Sequence, residues 1–213
     1  MLKRISIVGL FAVLLAAGGV RPAGAATVLI VGDSLSDAYD VPREAGWAQR
    51  LSDRLGEAYT IVNASISGET TAGAVRRIDG LLEKHRPELV LIILGGNDGL
   101  RGLSPKQIEN NLAAIIEQGK SGGAQVALMQ IRLPANLGPT YIERFEAVYP
   151  RLAERFDVAL VPFFLEDLFD RPGMLMQDGI HPTVEAQPEM LDNLWPHLAS
   201  LLGIEAETGS EDR

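Results

Sequence analysis

The chain has 213 residues, of which 46% are hydrophobic and 22% charged, with a net charge of −9 and no cysteine. That length supports one sizeable core and is short for two. The acidic balance argues against nucleic acid or an anionic membrane surface as a partner, and a chain without cysteine must be held by ordinary burial rather than by disulfides.

Lys3 and Arg4 precede an apolar stretch from Ile5 to Val20, and Ala23-Gly24-Ala25 has the small-residue pattern that a signal peptidase accepts. The apolar run is broken by Gly18-Gly19 and ends at Arg21-Pro22, short of the ~20 residues needed to span a bilayer. Residues 1–25 are therefore expected to be a signal peptide cleaved before Ala26, giving a periplasmic or secreted product with no stable membrane anchor. Removal of Lys3, Arg4 and Arg21 leaves the mature chain near −12.

From there, short apolar runs alternate with amphipathic stretches. Thr27–Gly32, Thr60–Asn63, Leu89–Gly95, Gln125–Gln130 and Val158–Val161 carry few polar interruptions, which implies strands covered on both faces and hence parallel. Gly46–Leu55, Ala72–His85, Pro105–Gln118 and Tyr141–Phe156 show helical spacing, and a last helix is expected from about Glu185 to Leu202. Ser104-Pro105 reads as N-cap and first helical residue. The order predicts an α/β fold, a three-layer α/β/α sandwich around a five-stranded, doubly wound parallel sheet, as one domain over residues 26–203. Residues 204–213, acidic and nearly without large apolar side chains, are expected to be a disordered tail.

In such a sheet, ligands bind beyond the carboxyl ends of the strands. Ser34 follows the first strand in Gly32-Asp33-Ser34-Leu35, Gly68 follows the second, and Asn97 follows the third in Leu94-Gly95-Gly96-Asn97-Asp98. Asp178 and His181 precede the last helix, in a loop that can fold back over the same edge. A serine hydroxyl needs a base to take its proton as it attacks, and a histidine, with an unperturbed pKa of ~6.5, suits that task. Of the three histidines, His85 belongs to the opposite edge and His197 to the last helix, which leaves His181. Asp178, three residues earlier, can reach its Nδ1–H. The Ser34 amide, expected at a helix start, the Gly68 amide and the Asn97 side-chain NH2 can converge as an oxyanion hole.

Taken singly, each of these residues has a plain structural reading as a helix cap, loop glycine, turn asparagine or surface turn. Together, in order, at three consecutive strand ends and one late loop, they point to serine-based ester hydrolysis. A metallophosphoesterase using Asp33, Asp37, Asn97, Asp98 and His181 is a rival, although two-metal sites usually draw on several histidines. So is a noncatalytic acyl- or glycan-binding module, which would have no need of a base aimed at a serine. Gly119-Lys120-Ser121 is not a phosphate loop, since Ala114 stands where the first glycine belongs, and position 36 is serine, which excludes a G-x-S-x-G elbow.

Gly32-Asp33-Ser34-Leu35, Gly68, Gly95-Gly96-Asn97-Asp98 and Asp178-Gly179-Ile180-His181-Pro182 resemble the four blocks of the SGNH, or GDSL, hydrolase family. Asn63–Glu69, Leu94–Gly102 and Met129–Asn136 are similar to its exported bacterial branch of multifunctional thioesterases, arylesterases and lysophospholipases. The resemblance implies a flavodoxin-like fold, hydrolysis of small-molecule acyl esters or thioesters, and no metal or organic cofactor. It makes Ser34 the nucleophile, His181 the base and Asp178 its orienting acid, with Ser34, Gly68 and Asn97 forming the oxyanion hole. A carbohydrate deacetylase is the alternative within the family. A monomer is expected.

Leu100, Leu133, Pro134 and Tyr141 are the candidate walls of an acyl groove. The glycines at 99 and 102 are expected to let the segment between them move as substrate enters. The nucleophile turn departs from the branch in carrying Asp37 and Asp40, with Ala38 where glycine often precedes the tyrosine. Two carboxylates at the mouth either repel phosphate-bearing acyl donors or are simply solvated acids at a helix start, where negative charge is favoured.

Overall fold

The apolar runs become strands because each can bury both faces between helices. The structure, a computed structural model, describes residues 25–204. Its strands are β1 (Ala26–Gly32), β2 (Tyr59–Asn63), β3 (Leu89–Ile93), β4 (Gln125–Met129) and β5 (Ala159–Val161). They form one sheet in the order β2-β1-β3-β4-β5, every pair parallel, with Val28 beside Leu89 and Leu89 beside Gln125. All five residues of the central β3 are buried, and each such Leu or Ile contributes roughly 1.5–3 kcal/mol relative to exposure.

The helices are α1 (Trp47–Leu55), α2 (Thr71–His85), α3 (Gly96–Leu100), α4 (Pro105–Ser121), α5 (Pro139–Glu146), α6 (Val148–Phe156) and α7 (Gln187–Leu202). Helix α1 packs on α7, while α2, α4 and α6 pack side by side, giving the three layers expected from the alternation. A Cβ on Gly119 would come within 2.9 Å of the Val126 side chain. That glycine lets α4 lie close on β4. The chain leaves β1 in one direction to reach β2, then crosses back to β3 on the other side. The carboxyl ends of β1 and β3 are therefore the topological switch point, where loops diverge and a crevice opens.

Several expected boundaries shift for physical reasons. The single helix expected over Tyr141–Phe156 is two, α5 and α6, joined at Ala147. Pro150 lacks the N–H that would bond the Glu146 carbonyl in a continuous helix. That carbonyl instead accepts from the Gln130 side chain at 3.3 Å. Strand β3 ends at Ile93 rather than Gly95, because Gly95 takes φ 115° to turn the chain into α3. Ser104 stands at the N-cap of α4, but its hydroxyl makes no capping bond, and its carbonyl accepts from Gln107 and Ile108. The Thr70 hydroxyl does cap α2, accepting from the Gly73 amide at 3.1 Å. All but the last residue of the expected signal peptide and all but the first residue of the expected tail lie outside the described residues.

Candidate active site

Beyond β1 the chain does not enter a helix, contrary to the expectation for Ser34. Residues 34–40 are a run of turns, and α1 begins only at Trp47. The Ser36 and Asp37 amides both donate to the Asp33 carbonyl, and the Leu35 amide donates to the Asp33 carboxylate at 3.1 Å. This tight turn lifts Ser34 out of the strand. The buried Trp47 fastens it from behind, its indole N–H donating to the Leu35 carbonyl at 3.0 Å.

The loop before α7 is fastened in the same way. Its backbone closes through bonds from Met176 to His181 and from Thr183 to Met174, with Gly179 at φ 67° at the tip. Gln187, 2% exposed, opens α7, accepts from the Trp47 amide at 3.0 Å and donates to the Thr183 carbonyl at 3.2 Å. Trp47 and Gln187 thus bridge the Ser34 turn to the His181 loop.

Between these two loops, Ser34 Oγ lies 2.9 Å from His181 Nε2, and His181 Nδ1 lies 2.6 Å from Asp178 Oδ2. A carboxylate at that distance selects the tautomer in which Nδ1 donates, leaving the Nε2 lone pair to accept the Ser34 hydroxyl. The other Asp178 oxygen accepts from the Ile180 and His181 amides at 2.9 and 3.0 Å. Burial is the largest single influence and raises the Asp178 pKa, but the bonds from His181 and Ile180 together outweigh it and hold the carboxyl at about 2. The Tyr39 ring lies against the His181 imidazole, with centroids 4.3 Å apart.

Asn97 sits in the one-turn helix α3, which the Gly-Gly-Asn-Asp-Gly stretch was too short to reveal. Gly95 is obligatory before it, because a Cβ there would lie 2.2 Å from the buried Tyr149 hydroxyl. That hydroxyl donates to the Leu94 carbonyl at 3.0 Å. Asp98, fully buried, accepts from the Thr71 amide and hydroxyl at 2.9 and 2.6 Å and so ties α3 to the start of α2. The Asn97 NH2 donates to Asp33 Oδ2 at 3.2 Å. Asp33 is 2% exposed, and burial pushes its pKa up to about 6 against the opposing bonds from Leu35 and Asn97.

A cleft open to solvent at its mouth includes Ser34, Asn97 and His181 in its lining. Leu100, Leu133 and Pro134 line it, together with Ile131, Phe163 and Phe169, which the sequence reading missed. The signal for Phe163 was the apolar run Phe163-Phe164-Leu165 just beyond β5, whereas Phe169, after Glu166 and Asp167, carried none. Tyr141 is corrected: it is not among the lining residues, its hydroxyl donates to the Leu103 carbonyl at 2.7 Å, and its ring packs near Phe145. Gly68, at φ 78°, occupies the turn after β2 and its carbonyl accepts from Arg101, but it is not among the cleft-lining residues. Gly99 is not a free hinge, since a Cβ there would press on Leu133 at 2.7 Å and Phe145 at 3.0 Å. Nor is Asp37 a free charge at the mouth: it accepts from the Ser67 amide and hydroxyl at 3.0 and 2.9 Å, with Arg43 at 3.7 Å. Among the described residues no three of His, Cys, Asp and Glu converge as metal ligands.

A hydroxyl, an imidazole and a carboxylate hydrogen-bonded in series at the switch point of a doubly wound sheet define a serine hydrolase of the three-layer type. The chain belongs to the GDSL-like Lipase/Acylhydrolase family, whose profile matches residues 30–187. It is 49% identical over 185 residues to esterase TesA of Pseudomonas aeruginosa, covering 85% of this chain and 92% of that protein. It is 47% identical over 182 residues to thioesterase 1/protease 1/lysophospholipase L1 of Escherichia coli strain K12, covering 85% and 88%. The crystal structure of psychrotrophic esterase EstA from Pseudoalteromonas sp., inhibited by monoethylphosphonate, matches with a TM-score of 0.79 at 39% identity, covering 83% of this chain and 98% of that one.

Proposed function

We propose that the protein is a serine esterase that hydrolyses carboxylic esters and thioesters, including aryl esters, acyl thioesters and lysophospholipids, through an acyl-enzyme on Ser34. The observation that carries this reading is the unbroken series from Ser34 Oγ through His181 to Asp178, at 2.9 and 2.6 Å. Ser34 Oγ attacks the ester carbonyl carbon as its proton passes to His181 Nε2, and the resulting imidazolium is stabilised by Asp178. Collapse of the tetrahedral intermediate breaks the bond to the leaving alkoxide or thiolate, which takes the proton from His181. Water then attacks the acyl-enzyme, with His181 again as base, releasing the acid and restoring the serine. The amides of Ser34 and Gly68 and the free N–H of Asn97 are the proposed oxyanion donors, each worth roughly 10²–10³ in turnover.

The acyl chain is assigned to the apolar walls of Leu100, Leu133, Pro134, Phe163 and Phe169, which suit an acyl group longer than acetyl and favour a lipid esterase over a carbohydrate deacetylase. The names of the relatives above, an esterase and a thioesterase/protease/lysophospholipase, support the same substrate class. We place the enzyme in the periplasm, acting as a monomer. Among the described residues no helix is long and apolar enough to cross a membrane, and β1 begins at Ala26, where the signal peptide is expected to be cut.

The test is hydrolysis of p-nitrophenyl esters as a function of chain length, with chelator present and Ser34→Ala alongside. Chelator-resistant turnover that disappears in the variant and is greatest on medium or long chains is expected. A maximum at acetyl would support the deacetylase, and chelator-sensitive turnover surviving in Ser34→Ala would move the chemistry to a metal.

A further inference from the structure

We propose that Asp33, the residue before the nucleophile, is a positioning residue: it holds the Asn97 amide in the one orientation that presents an N–H, and not a carbonyl, to the oxyanion. The inference rests on the esterase reading and deepens it. A primary amide has two faces of opposite sign, and only one is useful at an oxyanion. An ionised carboxylate is acceptor-only, so its contact with Asn97 at 3.2 Å requires the NH2 end of that side chain and leaves its second N–H free.

The surroundings leave little room for another arrangement. Asp33 is 2% exposed, so water does not compete for the contact. Its other oxygen is already occupied by the Leu35 amide at 3.1 Å, which prevents the carboxylate from turning away.

Turn geometry alone does not call for an acid here. Asparagine or serine would serve the Leu35 amide in the same kind of turn, and burying a carboxylate bonded to two amides, with no lysine or arginine partner, is costly. A charge kept at such a position is explained by what it imposes on Asn97.

The test is a double-mutant cycle on kcat and KM for a p-nitrophenyl ester, using Asp33→Asn, Asn97→Ala and the pair. In Asp33→Asn the new amide satisfies Leu35 through its oxygen and turns its own NH2 toward Asn97, which must flip to accept. The expected loss in kcat is roughly 10²–10³, that of a missing oxyanion donor, with KM nearly unchanged. In the Asn97→Ala background the same substitution is expected to cost less than about threefold, since nothing remains to be positioned.

Additive losses, or wild-type kcat in Asp33→Asn or in Asn97→Ala, would overturn the proposal. Should Asp33→Asn not fold, Asp33→Ser, which retains a turn acceptor but is too short to reach Asn97, enters the same cycle with the same expected outcomes. Ser34→Ala separates the two layers of the argument: near wild-type turnover there sinks the esterase reading itself, whereas a dead Ser34→Ala with additive Asp33 and Asn97 losses sinks only the positioning role.

Discussion

Two carboxylates serve this site from opposite environments. Asp178 stands on a half-exposed loop, gathers one ring N–H and two amides, and is held ionised down to about pH 2. Asp33 lies in the floor, 2% exposed, and burial pushes it up to about 6. The first is comfortable as a charge and contributes to folding, whereas the second is ionised near neutral pH at the expense of stability. The same side chain thus supports the base on one side of the serine and the oxyanion amide on the other, and the cost falls on the buried one.

The largest expected effect comes from breaking the exposed half. Asp178→Asn should lower kcat by roughly 10⁴, because the tautomer needed at His181 is no longer selected. Its folding should depend less on acid: the depressed pKa of Asp178 gives stability that is present above the ordinary value of 3.8 and lost as pH falls toward 2, and the variant lacks that step. Kinetics together with acid unfolding check both parts.

The buried half should respond in the opposite sense. A pKa raised from 3.8 to about 6 means that the folded chain binds more protons than the unfolded chain between those values, so the stability contribution of Asp33 falls as pH rises through that window. Asp33→Asn should therefore unfold at higher denaturant than wild type at pH 8, by at most about 3 kcal/mol at 1.36 kcal/mol per pKa unit. The gain should shrink below pH 6 and vanish near pH 4, even as activity is lost. A variant equally stable, or less stable, at pH 8 would break the contrast between the two acids.

Smaller effects sharpen it. Gln187→Ala leaves the buried Trp47 amide unpartnered and loosens the link between the Ser34 turn and the His181 loop, and should cost about 1–3 kcal/mol by denaturant unfolding. Ala38 holds φ 54°, a conformation that glycine adopts freely. Ala38→Gly should raise stability by up to about 1 kcal/mol, read as a small rise in Tm with kcat unchanged.

What could be read from the chain follows the range of the interactions involved. Uninterrupted runs such as Val28–Val31 and Leu89–Ile93 announce parallel strands because burial on both faces is a local pattern. Ser34 and Asn97 could be assigned to one edge because strand ends are themselves local, and Asp178 and His181 because their loop lies between the last strand and the last helix. The Asp33–Asn97 contact joins positions 64 apart, and the Trp47–Gln187 bond joins positions 140 apart. Neither leaves a periodic trace. Tyr141 was misplaced for the related reason that a position beyond β4 cannot say whether a half-buried side chain faces a cleft or, as here, sets its hydroxyl on the Leu103 carbonyl. Helix α3, five residues with three of them in the sequence Gly-Asn-Asp, lacks the length over which propensity accumulates.

The most direct test of the central claim is the intact mass, and then the peptide map, of the protein treated with an aryl alkylphosphonate. The account predicts one phosphonyl adduct, on Ser34, formed in step with loss of esterase activity and absent from His181→Ala on the same timescale. Full inactivation with the adduct on another residue, or full activity with Ser34 modified, would contradict it.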